Sequence, residues 1–516
     1  MDNSLLNAMH NSLLDAMKEY NNYTLTENGG LTYRSTLNGL LDLFALGGSY
    51  RSRSDEDCIL LFKKAFEEDE LHALRCLFYL RDVRGGQGER RFFRVVTRWM
   101  AQNMTEAMRR NLKFVPEYGR WDDLYSFVGT KLEKDAFDLI RHQLALDVQC
   151  KTPSLLAKWL KSENTSSLES RMLGTRTRRA LNMTSKQYRK TLSVLRNRIN
   201  VLERLMSENK WDEIEFDKIP SRAGIIYRNA FARHDIERVK SEKNVQTYAD
   251  FAKDTSTKVN ADTLYPCDVV HKALGEYNYW GDPSKKMTET ERAMLNKYWE
   301  NLHDYFNNAV FNGVAVVDTS SSMWSTRGVV SIAPMDVACA LGMYCAEFCN
   351  PNSPWYGHYI SFSRKAKLVP VEGIDFVDKV QRIRAHDLCE NTNIESVFNL
   401  ILSLAIQHKV QPEDMPKNVV IISDMEFDAS CRGTTPYMET TMDRIAKAYE
   451  AAGYNAPHLV FWNVDARQDN IPMRDNGKVT FVSGYSAVLF EQLLTGKTGL
   501  DFVLDKLDSD RYKQIH

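Results

Sequence analysis

Three short runs in the second half of the chain are almost continuously apolar rather than apolar at alternate positions. They are Gly313-Val314-Ala315-Val316-Val317, Asn418-Val419-Val420-Ile421-Ile422 and Leu459-Val460-Phe461-Trp462. A strand with one wet face alternates. A strand that is apolar throughout is covered on both faces, as in a parallel sheet. The stretches 334–348, 394–408 and 440–452 between them read as helices. Strands alternating with helices predict a doubly wound α/β domain over residues 306–516.

The first two of these strands end in polar residues of a particular kind. Strand 313–317 runs into Asp318-Thr319-Ser320-Ser321-Ser322, an Asp-x-Ser-x-Ser pattern. Strand 419–422 runs into Ser423-Asp424. Ligand sites of open α/β sheets lie at the carboxyl ends of strands, so both groups belong to one edge. Between them Thr392 precedes a helix and can reach the same edge. Asp318, Ser320, Ser322, Thr392 and Asp424 are all hard oxygen donors. Such a set suits Mg2+ or another divalent cation, with a coordination position left for an acidic oxygen of a partner. In this, the second half resembles the von Willebrand factor type A domain. Asp-x-Ser-x-Ser looks like its metal-ion-dependent adhesion site, with Thr392 and Asp424 at the second-loop and third-loop positions. Asn391 stands where many relatives carry Gly.

Residues 1–305 have a different texture, dense in helical periodicity. Helices are expected over 56–80 with a break near Glu68-Asp69-Glu70, at 155–160 behind Pro153, and over 186–206. In the last of these, Tyr188, Leu192, Leu195, Ile199, Leu202 and Met206 share one face, and Thr184 with Gln187 forms a capping box. Many weakly similar helices predict an α-helical repeat, HEAT-like, rather than a compact bundle. Residues 262–284, with Pro266, Gly281 and Pro283, read as the loosest stretch before the boundary.

Charge separates the same two parts. The whole chain is nearly neutral, at −1. Residues 1–305 carry 48 basic and 43 acidic side chains, and residues 306–516 carry 19 and 25. Between 171 and 198 lie nine basic residues and no acidic one: Arg171, Arg176, Arg178, Arg179, Lys186, Arg189, Lys190, Arg196 and Arg198. A cationic helix face of this kind can track a phosphate backbone. Tyr188, Tyr227 and Phe231 are nearby base-stacking candidates, Tyr188 being better placed in the core. Arg81-Asp82-Val83-Arg84-Gly85-Gly86-Gln87-Gly88 lacks the Gly-Lys-Ser/Thr of a P-loop and follows a helix. It reads as a tight turn between helices that leaves Arg81 and Arg84 exposed.

Other classes are disfavoured. The N-terminus has no basic segment followed by a long apolar run, and no stretch approaches the length of a spanning helix. Nine cysteines without zinc-ligand spacing suit free thiols in a reducing cytoplasm. Cys339, Cys345 and Cys349 share one apolar segment and are expected in the core. His234-Asp235 and His386-Asp387 have no identifiable nucleophile beside them, so no enzyme is expected.

The run Leu77-Phe78-Tyr79-Leu80-Arg81-Asp82-Val83-Arg84-Gly85-Gly86-Gln87-Gly88-Glu89-Arg90 resembles the signature of an uncharacterised Ro-like family. Ala157-Lys158-Trp159-Leu160, Tyr188-Arg189-Lys190-Thr191-Leu192-Ser193, Ile219-Pro220-Ser221-Arg222-Ala223 and Ala230-Phe231-Ala232-Arg233-His234-Asp235 add to it. The resemblance implies a TROVE-like helical module followed by a von Willebrand type A domain. Its likeness to the Ro autoantigen is more distant and mainly architectural. In Ro proteins the helical module closes into a ring that binds small non-coding or misfolded RNA. The resemblance therefore implies RNA as partner, with an acidic protein ligand at the metal site as the other reading.

Overall fold

A computed structural model describes residues 17–18, 21–240, 245–275, 287–309, 311–324, 326, 332–362, 366–385, 393–428, 441–475 and 477–516. The chain forms two compact units. They do not follow a single cut at residue 305. The α/β unit takes residues up to Cys76, Pro266–Leu274 and Asp304–Asp508. The helical unit takes Leu77–Tyr265, Gly275–His303 and Ser509–His516.

The α/β unit is built on a six-stranded sheet. Its strands are β3 (Gly313–Asp318), β4 (His358–Phe362), β5 (Ala366–Pro370), β6 (Asn418–Ser423), β7 (His458–Asn463) and β8 (Val479–Ser483), in the order β5-β4-β3-β6-β7-β8. Pairing is parallel from β4 to β8, and β5 is antiparallel at the edge. The three apolar runs are the adjacent strands β3, β6 and β7, and nearly every residue in them is buried. Helices Pro334–Phe348, Glu395–His408 and Thr441–Ala451 lie close to their expected bounds. Cys339, Cys345 and Cys349 are buried as expected.

The segment ending at Cys76 joins this unit because its apolar side chains need it. Helix Gly39–Leu46 is buried at every position. A helix apolar on all faces has no face to offer water. It ends beside β8, where the Ser483 hydroxyl donates to Phe44 O at 2.9 Å and accepts from Gly48 N at 2.9 Å. Ahead of it, β1 (Tyr23–Leu25) and β2 (Leu31–Tyr33) form a hairpin. Residues 262–284 are not loose throughout. Pro266–Leu274 is a helix with six buried residues, and its His271 ring pairs with Asp336 at 2.7 Å.

From Asp55 onward, and through the helical unit, local signals set the helix ends. Helices Asp55–Glu68 and Glu70–Arg81 break at Asp69, and the second carries the chain from the α/β unit into the helical unit. The Thr184–Gln187 capping box starts Ser185–Arg198. That helix stops well short of its expected end at 206. Asn200 takes a left-handed φ of 47°, and Val201 N returns to Arg196 O at 3.3 Å. Asn tolerates this conformation and so closes a helix as Gly does. The apolar pattern resumes in a separate helix, Leu202–Ser207.

The glycine-rich signature is a turn, as read, but Arg81 is not exposed. It is 1% accessible and donates to Asp123 Oδ2 at 2.9 Å. Asp82, fully buried, accepts from Arg511 Nη2 at 2.6 Å and from the Tyr512 hydroxyl at 2.9 Å. Tyr512 stacks on Tyr118, and Asn111 receives His516 N at 3.0 Å. The signature is thus the socket for residues 509–516. It needs its glycines for close approach. A Cβ on Gly86 would lie 1.9 Å from Tyr79 O, and one on Gly88, at φ +62°, would lie 2.2 Å from the Tyr265 hydroxyl. Gly86→Ala is expected to destabilise the protein by about 1–3 kcal/mol, the usual cost of overpacking. Urea unfolding followed by circular dichroism measures it, and an unchanged midpoint would contradict the tight turn.

Candidate metal centre and cationic face

Parallel pairing of β3 with β6 sets Val317 beside Ile422. The next residues along each strand, Asp318 and Ser423-Asp424, therefore emerge side by side. The Ser423 hydroxyl donates to Asp318 Oδ2 at 2.6 Å, and Ser320 N donates to Asp318 Oδ1 at 2.9 Å. The Ser320 and Ser322 hydroxyls are 3.1 Å apart, and Ser322 Oγ donates to Asp424 Oδ2 at 2.8 Å. Four of the five expected metal residues are thus linked in one hydrogen-bonded cluster. The fifth, Thr392, lies outside the described residues. Among the described residues no three His, Cys, Asp or Glu side chains are grouped to hold a metal. The donor set is two carboxylates and two hydroxyls.

Asp318 and Asp424 are both buried. Burial, and next the Asp424 charge, raise the pKa of Asp318 far above the usual carboxylate range. The loop after β6 is bent to fit. Met425, buried, adopts a left-handed φ of 65°, a conformation costly for a residue with a side chain. Met425 N bonds to Ser423 Oγ at 2.9 Å and Glu426 N to Asp424 Oδ1 at 3.2 Å. This turns Glu426 back into the edge. Burial pushes its carboxyl up to about 7, and its Oε1 has no hydrogen-bond partner among the described residues.

Three residues of this edge, Glu27, Glu426 and Arg467, lie outside the sequence motif. Arg467, just beyond β7, donates from Nη2 to Asp424 Oδ2 at 2.5 Å and pairs with Glu27 through Nη1. Burial alone would lower the pKa of Arg467, but Asp424 and Glu27 raise it. Its place after a strand's carboxyl end was a usable signal. So was the spacing Asp424-x-Glu426. Glu27 had none, because only the fold brings it here.

The cationic face is thinner than its sequence. Arg196 is half-buried and holds Ala157 O and Leu160 O, each at 2.9 Å; burial lowers its pKa. It braces the scaffold and is withdrawn as a phosphate ligand. Arg81 is withdrawn likewise, since its charge is sealed against Asp123. Arg176 is bound through two nitrogens to Glu133 at 2.6 Å, and Arg178 to Glu163 at 2.8 Å. Arg198 caps Val148 O at 2.8 Å, and Arg84 reaches Glu117 O at 3.2 Å, both remaining exposed. Arg171, Arg179, Lys186, Arg189 and Lys190 are exposed, and none is paired with a carboxylate among the described residues. Tyr188 is buried with its hydroxyl on Lys161 O, Phe231 is buried, and Tyr227 reaches Glu203.

His234 stacks on Trp211 at 3.8 Å and pairs with Glu237, while Asp235 caps Tyr248 N at 2.6 Å. His386-Asp387 lies outside the described residues. No described helix is long and apolar enough to cross a membrane.

A family model described as "Domain of unknown function (DUF2828)" matches residues 26–172 and 142–309. The chain belongs to the DUF2828 family. A second model, "Domain of unknown function (DUF7788)", matches residues 312–513 of this DUF2828 protein. An uncharacterised protein of Acanthamoeba polyphaga mimivirus is 30% identical over 516 residues, covering 92% of this chain and 85% of that one. The DUF2828 chain is also similar to the crystal structure of Deinococcus radiodurans RO (RSR) protein. There the identity is 15%, with 89% of this chain and 99% of that chain covered and a TM-score of 0.47.

The raised pKa of Asp318 has a sign. Without metal, the folded chain keeps this proton where the unfolded chain has lost it. Stability therefore falls as pH rises from the ordinary Asp range towards about 7, and levels off above. Asp318→Asn is expected to flatten this fall. At pH 7.5 the metal-free variant should exceed the parent by about 1–3 kcal/mol, on the scale of about 1.4 kcal/mol for each tenfold change in proton affinity. Urea unfolding in chelator from pH 4 to 8 tests it, and parallel curves would refute it.

Proposed function

We propose that this protein is a non-catalytic RNA-binding scaffold. Its helical unit would hold RNA by the phosphates, and its α/β unit would carry a Mg2+-dependent adhesion site of the von Willebrand factor type A kind. The observation that carries the RNA reading is the set of five exposed cations, Arg171, Arg179, Lys186, Arg189 and Lys190, on the helices Leu168–Ala180 and Ser185–Arg198. Lys186, Arg189 and Lys190 fall at i, i+3 and i+4, on one helix face. Free cations release counterions when they meet a phosphate backbone. Those already bound to Glu133 and Glu163 would have to break a pair first.

At the α/β edge, Asp318, Ser320, Ser322 and Asp424 would hold the cation, with Thr392 as the fifth donor. When bound, the cation supplies the charge that attracts an acidic oxygen of a partner. Ser423 and the Ser320 backbone orient Asp318 for this, and the Met425 turn keeps the loop close to β3.

Fluorescence anisotropy with a small structured RNA, from about 50 to 200 mM salt, tests the first part. The fourfold change Arg179, Lys186, Arg189 and Lys190 to Glu should weaken binding and reduce the salt slope by about 1 for each phosphate no longer held. Arg196→Gln should instead lower stability. An unchanged slope would remove the RNA reading.

The convergence of two carboxylates and two hydroxyls favours a second reading, a metal-dependent protein-interaction module without RNA. Pull-downs in Mg2+ against EDTA, with Asp318→Ala as control, separate it. Partners lost with EDTA and with Asp318→Ala support the adhesion site, and partners kept under both conditions rule it out.

A further inference from the structure

The loop after β6 is covered by a segment from near the start of the chain. All five residues of the β1–β2 turn, 26–30, meet residues 426–428. Thr26 Oγ1 donates to Phe427 O at 2.6 Å, Glu27 N to Glu426 Oε2 at 2.7 Å, and Asn28 Nδ2 to Glu426 O at 2.5 Å. Gly29 bridges to Asp428. Gly30 comes so near that a Cβ would lie 2.5 Å from Phe427 O. Thr32 Oγ1 and the Tyr33 backbone fasten β2 to Ile471, a little past Arg467. This seating fixes where Glu27 stands.

Glu27 is joined to Asp424 by one guanidinium. Arg467, 6% exposed, gives Nη1 to Glu27 and Nη2 to Asp424 Oδ2. The two carboxylates are thus one guanidinium width apart, and Asp424 Oδ2 is the same oxygen that Ser322 contacts. Arg467 does not saturate this place. Its Nε is buried without a hydrogen-bond partner among the described residues, as is Glu426 Oε1. The Asp424 and Glu27 carboxylates repel one another across the single positive charge of Arg467, and Ser322, which contacts both Asp424 and Ser320, ties this pair to the β3 loop. A divalent cation would offset more of that repulsion than a single guanidinium does.

We propose that the acidic ligand of this edge is built into the chain: Glu27 on the β1–β2 hairpin, with Arg467 as the side chain that yields its place on Asp424 to the cation. This rests on the metal reading above. An acidic partner would then have to displace the chain's own hairpin.

Mn2+ serves as the probe, with free ion read by electron paramagnetic resonance in titrations of the full chain. Glu27→Gln should weaken Mn2+ binding about tenfold, in the range found when metal-orienting groups are removed, and Glu27→Asp should recover part of it. Arg467→Gln should tighten binding about tenfold, since a neighbouring charge changes the affinity of a carboxylate for a cation by about one to three powers of ten. Asp318→Ala should abolish it in every background. If Glu27→Gln binds as well as or better than the parent, or if Arg467→Gln leaves affinity unchanged, the built-in ligand is wrong while the metal site stands. If neither the parent nor Arg467→Gln binds Mn2+, or if Asp318→Ala binds as the parent does, the metal reading itself falls. Thermal unfolding by circular dichroism of each variant checks that the fold is intact, and Glu27→Asp keeps the ligand assignment testable should Glu27→Gln unseat the hairpin.

Discussion

Two like charges at the ends of neighbouring strands set the terms for the α/β unit. Asp318 and Asp424 are both out of water, and a parallel sheet gives them no freedom to separate. Around them stand Ser320, Ser322 and Ser423, two backbone amides and the Arg467 guanidinium. Each offers a donor to a carboxylate or to its neighbour. Even so, Asp318 keeps its proton well beyond the ordinary range. Buried charge of one sign calls for a counter-charge, and the edge is arranged around that need. The left-handed Met425 belongs to the same arrangement, since it brings Glu426 under the site rather than away from it.

Legibility followed interaction range. The three buried strands, the helices between them and four polar residues of the edge cluster could be read because each signal is local: continuous apolar runs, amphipathic spacing, polar residues at a strand's end. Short strands β4, β5 and β8 carry weaker patterns and were not evident in the sequence. Helix Gly39–Leu46 was visible in principle, since Leu40, Leu41, Leu43, Phe44 and Leu46 leave no wet face. Its partner, β8, lies near the opposite end of the chain, so nothing local assigned it to the α/β unit.

The cationic run shows the same limit from the other side. Counting charges within residues 171–198 made them look unopposed. For Arg176, Arg178 and Arg196 the opposition comes from Glu133 and Glu163, outside the window, and from carbonyl groups no charge count includes. Arg81 is the clearest case. In sequence it is an arginine beside glycines; in the fold it is a sealed ion pair with Asp123, far along the chain. A buried, paired charge is costly to break, so such an arginine supports the scaffold and does not serve a ligand.

The assignment of chain to units has a consequence for how this protein can be made. The backbone passes between the two units five times, after residues 76, 265, 274, 303 and 508. A ribosome that has released the chain as far as Tyr305 has completed neither unit. The hydrophobic helix Gly39–Leu46 must wait for β8, and the signature socket must wait for Ser509–His516. The apolar faces of both segments therefore stay uncovered until residues 479–483 and 509–516 have emerged. Such a chain folds late and as a whole, in the regime where chaperones matter.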